Sequence, residues 1–123
     1  MLKENKTLKH EYDSSVDALY LEVNNYQNSK AIPLNDDVIM DFTQDGDFAG
    51  LEILNVSELL KVTVKSLENI NNIDLTVKVN KYQILVNVIF TLPVHDHDEF
   101  KIANATTVND NNVPVMNTQL VTA

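Results

Sequence analysis

The sequence predicts a β-dominated α+β fold, an antiparallel sheet built on a central hairpin, with one helix and a second strand pair in the C-terminal half. Three observations predict it. Val38 to Leu54 reads as two strands with period-two alternation joined at Asp45-Gly46. Leu19, Leu21 and Val23, and later Ile73, Leu75, Val77 and Val79, alternate with polar neighbours as half-buried strands do. Between them, Val56, Leu59, Leu60, Val64 and Leu67 recur at three-to-four spacing, the period of a helix face.

The elements follow in order. Residues 1–11 are polar and aperiodic and read as a frayed lead-in, with order beginning at Tyr12. Tyr12-Asp13-Ser14-Ser15 supplies short polar side chains that bond the backbone ahead of them, a turn feeding the strand Ala18 to Val23. Asn24 to Ser29 is turn-rich, and Ala31 to Leu34 makes a short strand that Pro33 confines to a sheet edge. In the central hairpin, pairing across an Asp45-Gly46 turn sets Phe42 against Ala49, Met40 against Leu51 and Val38 against Ile53. The other face carries Thr43 with Phe48, Asp41 with Gly50 and Ile39 with Glu52. A one-residue slip would mix Asp41 and Glu52 into the apolar set, so the register is specified.

Asn55 or Ser57 can cap a helix from about Ser57 to Leu67; the competing reading is one helical turn and then a strand at Val62-Thr63-Val64, because β-branched residues weaken a helix. Asn69 to Asn72 is a loop, Ile73 to Val79 a strand, and Asn80-Lys81 closes a second hairpin onto Gln83 to Leu92. Ile84 to Phe90 is apolar on both faces, which suits a central strand. Pro93 ends or bends that strand, a short strand follows around Phe100 to Ala103, Asn109 to Asn112 loops, and Val113 to Val121 alternates weakly, which suits either pairing at an edge or a mobile tail. The 123 residues suit one domain, with 12–60 and a β-rich extension over 73–121 meeting at 69–72.

Composition narrows the function classes. The apolar fraction of 44% is ordinary for a globular chain, and no apolar run reaches the roughly 18 residues of a membrane helix. The N-terminal MLKENKTLKHEYD has no apolar h-region, so a cytoplasmic location is expected and no membrane partner. Without cysteine there are no disulfides, thiolate nucleophiles or cysteine-held zinc. Eighteen acidic against nine basic residues give a net charge of −9, which repels phosphate backbones and argues against nucleic acid, while suiting solubility or a basic protein partner. Two glycines leave no phosphate-cradling loop, and no catalytic triad spacing is present, so no enzyme and no cofactor is expected.

Five spaced blocks carry a family resemblance: Tyr12-Asp13, Asp17-Ala18-Leu19-Tyr20-Leu21, Val38-Ile39-Met40-Asp41-Phe42, Asp45-Gly46, and Gly50-Leu51-Glu52-Ile53-Leu54. Over about residues 12–60 the chain resembles the domain of unknown function 2283 family of small prokaryotic proteins. The resemblance implies a β-rich unit with a trailing helix, no established activity, and an association with small toxin-like proteins as their neutralising partner. The Asn- and Ser-filled gap before Val38, and the chain after about Lys65, depart from the pattern.

Three sites are candidates. Asp41, Thr43, Asp45, Asp47 and Glu52, with Gly46 sixth, fit the spacing of an EF-hand calcium loop, but the period-two flanks favour a hairpin, which carries Glu52 away from the other carboxylates. His95, His97 and Glu99 share a face on an extended segment, a candidate metal site whose competing reading is a solvated acidic loop. The outer hairpin face, Asp41, Thr43, Phe48 and Glu52 with Tyr20 nearby, joins an exposed aromatic to carboxylates. It is the candidate interaction surface; acid/base work by Asp41 and Glu52 would need a pocket. The expected function is a non-enzymatic protein-interaction module, neutralising a basic toxin-like protein or self-associating through a strand edge; the alternative is a metal or small-ligand binder using His95, His97 and Glu99.

Overall fold

The computed structural model describes residues 7–23, 27 and 30–122. The expected turn-rich stretch Asn24 to Ser29 lies almost wholly outside the described residues. Among the described residues nine strands form two antiparallel sheets, with two short helices between them in the chain. The first sheet comprises β1 (Leu8–Asp13), β2 (Ala18–Val23), β3 (Lys30–Pro33), β4 (Val38–Phe42) and β5 (Phe48–Leu54), in the order β1-β2-β5-β4-β3. After α1 (Val56–Leu60) and α2 (Val64–Leu67), the second comprises β6 (Asn72–Val79), β7 (Gln83–Val94), β8 (His97–Val108) and β9 (Met116–Val121), in the order β8-β7-β6-β9.

The β-dominated class is as the alternation predicts, and each strand that alternates buries its apolar set. Leu19, Leu21 and Val23 face Leu51, Ile53, Val38 and Met40 in the first sheet, while Ile73, Leu75, Val77, Ile84, Val86, Val88 and Phe90 line the second. One buried apolar cluster runs through both sheets and takes in Val56, Leu60 and Leu67 from the helices. β7 is central, as its two-sided apolar run predicts, and β3 with Pro33 is an edge.

Several boundaries differ from expectation for physical reasons. Residues 1–6 of the expected lead-in lie outside the described residues, but its second half is not frayed: β1 starts at Leu8, four residues before Tyr12, because Leu8 pairs with Val23 and sinks into the core. The central turn is longer than Asp45-Gly46. Thr43 N–H donates to the Asp47 carbonyl, Gly46 N–H donates to the Thr43 carbonyl, and only Gly46 has positive φ, at 89°. That is a three-residue loop ending in a left-handed glycine. A second irregularity follows: Asp41 pairs with Gly50 but Phe42 with Phe48, leaving Ala49 as an extra residue on β5.

The single helix expected over about Ser57 to Leu67 is two. Lys61 takes the left-handed conformation and closes α1, and Thr63, extended, restarts the helix by accepting from Ser66 N–H with its hydroxyl. Leu59 and Val64 consequently stay exposed. Pro93 neither ends nor breaks β7, which runs to Val94. In an antiparallel ladder its missing N–H faces the β6 side, where pairing has already stopped at Asn72 and Thr91. The strand expected around Phe100 to Ala103 is the middle of a twelve-residue strand.

Candidate functional site

On the outward face of the first sheet the side chains form two cross-strand rows, Glu11–Tyr20–Glu52–Ile39 and Lys9–Glu22–Gly50–Asp41. This brings together three of the residues singled out by sequence, Tyr20, Asp41 and Glu52, and adds Glu22. Burial, and then the charges of Glu52 and Glu22, raise the Asp41 carboxyl above its ordinary value. Gly50 is required here, since a Cβ would stand 2.6 Å from the Leu21 carbonyl oxygen. A depression of about 260 Å³ lined by Lys9, His10, Glu11, Tyr20 and Glu22 adjoins the face.

Two predicted members are elsewhere. Phe48 is 2% exposed: the extra residue at Ala49 shifts its parity, so it turns inward against Phe42. Thr43 belongs to the turn, its hydroxyl accepting from Asp47 N–H at 3.1 Å. The EF-hand reading fails on the same geometry, because Glu52 pairs with Ile39 on a flat ladder and does not fold back toward the turn.

A polar constellation that sequence reasoning missed ties the β1–β2 turn to α1. Asp17, left-handed at φ 52°, accepts from the Tyr12 hydroxyl at 2.7 Å, the Ser57 hydroxyl at 2.7 Å and Ser57 N–H at 3.2 Å. Asp17 therefore caps α1 from forty residues away, while Asn55, which occupies the cap position, makes no side-chain cap bond and donates instead to Asp37. Burial opposes ionisation of Asp17, but the bonds from Ser57 and Tyr12 outweigh it and hold the carboxyl below its ordinary value. The Tyr12 phenol is pushed up to about 12 by burial, its bond to Asp17 and that residue's charge. This network is a fastening of the scaffold, with every polar group engaged.

The histidine candidates fall at the tip of the β7–β8 hairpin. His95 and Asp96 both have positive φ, 50° and 67°, and form the two-residue turn, so His95 leaves the strand face that His97 and Glu99 share. His97 Nε2 lies 4.0 Å from Glu99 Oε1, and its Nδ1 is 3.1 Å from the His95 carbonyl oxygen. Asp98 accepts from Asn71. Among the described residues no group of three His, Asp or Glu is arranged to hold a metal ion. Beside the tip lies an open groove of about 840 Å³, whose rim carries Lys61, Lys65, His95 and Asp96 over Val62, Ile70, Pro93 and Val94.

The second sheet presents a different surface. Phe100 (74% exposed), Ile102 (57%) and Val108 (63%) project from the outer face of β8, with Val121 (47%) across the sheet in the row Ile102–Ile89–Asp74–Val121. β8 is also a sheet edge, paired to β7 without a register shift from His97 to Val108. Its charges cluster at His97, Asp98, Glu99 and Lys101, and Ile102 to Val108 carries none.

Comparisons with known proteins agree with the sequence resemblance. The family described as protein of unknown function (DUF2283) matches residues 9–57, which are the strands of the first sheet and the start of α1. The uncharacterized protein MJ0789 of Methanocaldococcus jannaschii is 33% identical over 82 residues, 66% of this chain and 70% of that protein. That stretch is longer than 9–57, so the likeness extends beyond the family segment. No solved structure matches. Among the described residues no helix is long and apolar enough to cross a membrane.

Proposed function

We propose that the chain, which belongs to the DUF2283 family, is a non-enzymatic interaction module that engages another polypeptide through its second sheet. The observation that carries this reading is the coincidence of Phe100, Ile102 and Val108, all exposed, with a long edge strand that is uncharged from Ile102 to Val108. Exposed apolar side chains scattered singly are ordinary, but three on the same face of one edge strand, beside outward-pointing backbone donors and acceptors, match strand addition. The main chain supplies the bonds and the alternate side chains the selectivity. Untagged protein recovered from its own host should retain a bound polypeptide, and Phe100→Ser with Ile102→Lys should release it. Recovery of the chain alone, at every concentration, is the outcome against this reading.

A second reading rests on Glu11, Glu22, Asp41 and Glu52 gathered around Tyr20 on the outward face of the first sheet. That face suits a basic protein, the chemistry of a neutralised toxin-like partner. Binding there should weaken steeply with salt, because exposed charges are screened within about 8 Å at physiological ionic strength. Glu52→Lys should abolish it while leaving binding through β8 intact.

A further inference from the structure

Resting on the reading that β8 is the interaction edge, we infer that its occupant is β8 of a second copy of this chain, antiparallel about a two-fold axis at Ala105. The four sheet edges are not alike. β1 carries Lys9, His10, Glu11 and Asp13; β3 has four residues, with Lys30 and Pro33; β9 is half as long as β8, and Thr122 just beyond it is bridged to Leu8. Charge, proline, shortness and cover are the devices that keep an edge from pairing. From Ile102 to Val108, β8 carries no charge, proline or bulge and belongs to a twelve-residue strand, with α1 packed against that strand.

The ladder dictates which residues can pair. A two-residue hairpin at His95-Asp96 makes Val94 and His97 a hydrogen-bonded pair, so odd-numbered residues of β8 bond to β7. Asn109 N–H donating to the Tyr82 carbonyl continues the same parity past the strand end. The N–H and C=O groups of Ile102, Asn104, Thr106 and Val108 therefore point away from the sheet, the Val108 carbonyl already accepting from Asp110 N–H at 3.0 Å and keeping its second lone pair for a partner. With the axis at Ala105, Ile102 faces Val108 of the second copy and Asn104 faces its Thr106, each twice. Apolar meets apolar and amide meets hydroxyl at all four positions. Other registers fare worse between Ile102 and Val108: an axis at Lys101 opposes two lysines, one at Ala103 sets Ile102 on Asn104, and one at Asn104 sets Ile102 on Thr106; beyond that segment the axis at Ala105 sets Phe100 on Asp110, where one at Asn104 opposes Asp98 to Asp110.

Charge distribution permits this pairing and opposes the alternatives on the first sheet. Residues 1–71 hold 13 acidic and 6 basic residues, a net of −7, whereas residues 72–123 hold 5 and 3, a net of −2. Joining at β8 places the strongly acidic portions outside the joint and makes the two four-stranded sheets one continuous sheet.

The chain has no cysteine, so single-cysteine variants of the full protein give the register directly. Ala105→Cys should cross-link to a dimer on oxidation. Ala103→Cys, an equally small change on the same buried face, should not: the two introduced thiols would lie four strand positions apart, roughly 13 Å, beyond disulfide reach. In sedimentation, Asn104→Pro should raise the dimer dissociation constant at least ~10-fold with little change in monomer unfolding, since the N–H it removes points outward. A chain that stays monomeric at ~100 µM, a dimer indifferent to Asn104→Pro, or equal cross-linking by Ala103→Cys would overturn the inference. A monomer that still retains a host polypeptide, lost with Phe100→Ser, leaves the interaction module standing without the second copy; a monomer that retains nothing overturns both.

Discussion

The two sheets expose their outer faces and edges on opposite terms. The first, which is the family segment, surrounds its outward rows with carboxylates and guards β1 with charge and β3 with a proline and a lysine. It is also fastened internally, by Asp17 between Tyr12 and Ser57, and its turn at Gly46 leaves room for Pro114 from the C-terminal half. The second sheet gathers the charges of β8 toward one hairpin tip, carries Asp74 and Lys78 on β6, and leaves Phe100, Ile102 and Val108 on its β8 edge. The family segment thus reads as the internally fastened, charge-guarded part of a core shared by both sheets, and the surface we propose for association lies on the second sheet.

The largest expected effect compares two phenylalanines. Phe48→Ala should cost about 3–4 kcal/mol in denaturant unfolding, the range for emptying a buried aromatic site. Phe100→Ala should change monomer stability by about 0.5 kcal/mol or less, measured at low protein concentration, because it removes an exposed side chain. If the two variants unfold alike, Phe48 is outward and the contrast between the sheets collapses. Next in size, Asp17→Ala should cost about 2 kcal/mol, since it strips the cap from α1 and leaves the Tyr12 and Ser57 hydroxyls without their acceptor. Asp17→Asn should recover part of that loss, keeping an acceptor and a residue type that tolerates positive φ.

These contrasts also mark what could be read from the sequence. The strands and their buried faces were legible because period-two alternation is written directly in Leu19, Leu21, Val23 and in Ile73 to Val79. The bulge was not, because Ala49 is small and apolar and signals neither face; with it went the facing of Phe48. Asp-Gly supports a two-residue turn and a three-residue loop equally, so the Thr43 to Asp47 closure was hidden as well. His95-Asp96 lacks the glycine that usually announces a tight hairpin, and the length of β8, with the surface proposed on it, was lost for that reason. The cap by Asp17 is forty residues from Ser57, out of range of any local rule.

Tyr12→Phe should cost about 1 kcal/mol at neutral pH by removing one hydrogen bond to a carboxylate. Its pH dependence identifies the network. The folded phenol titrates at about 12, above the ordinary tyrosine value near 10, so its stabilisation is complete below the ordinary value and is lost as pH rises through 12. Asp17, held below its ordinary value, works in the other direction, its contribution present above the ordinary carboxyl range and lost as pH falls through the depressed one. Alkaline unfolding of Tyr12→Phe should lack the phenol-linked loss that the parent chain shows, and unchanged alkaline behaviour would remove Tyr12 from the fastening.

The smallest effect bears on the acidic face itself. Asp41 is raised by burial and by Glu52 and Glu22, so the folded chain binds its proton more tightly than the unfolded chain does. Stability linked to this group is therefore present at low pH and lost as pH rises through the raised value, and at neutral pH the charged carboxylate is a burden. Asp41→Asn should then stabilise the protein at pH 7 by about half a kcal/mol or less, the side chain being partly in contact with solvent that screens it. The gain should shrink as pH falls through the carboxyl range, which melting temperatures across pH 3 to 8 would record. A loss at pH 7 would mean that a donor or cation holds this carboxylate in solution, and would return the working surface from β8 to the first sheet.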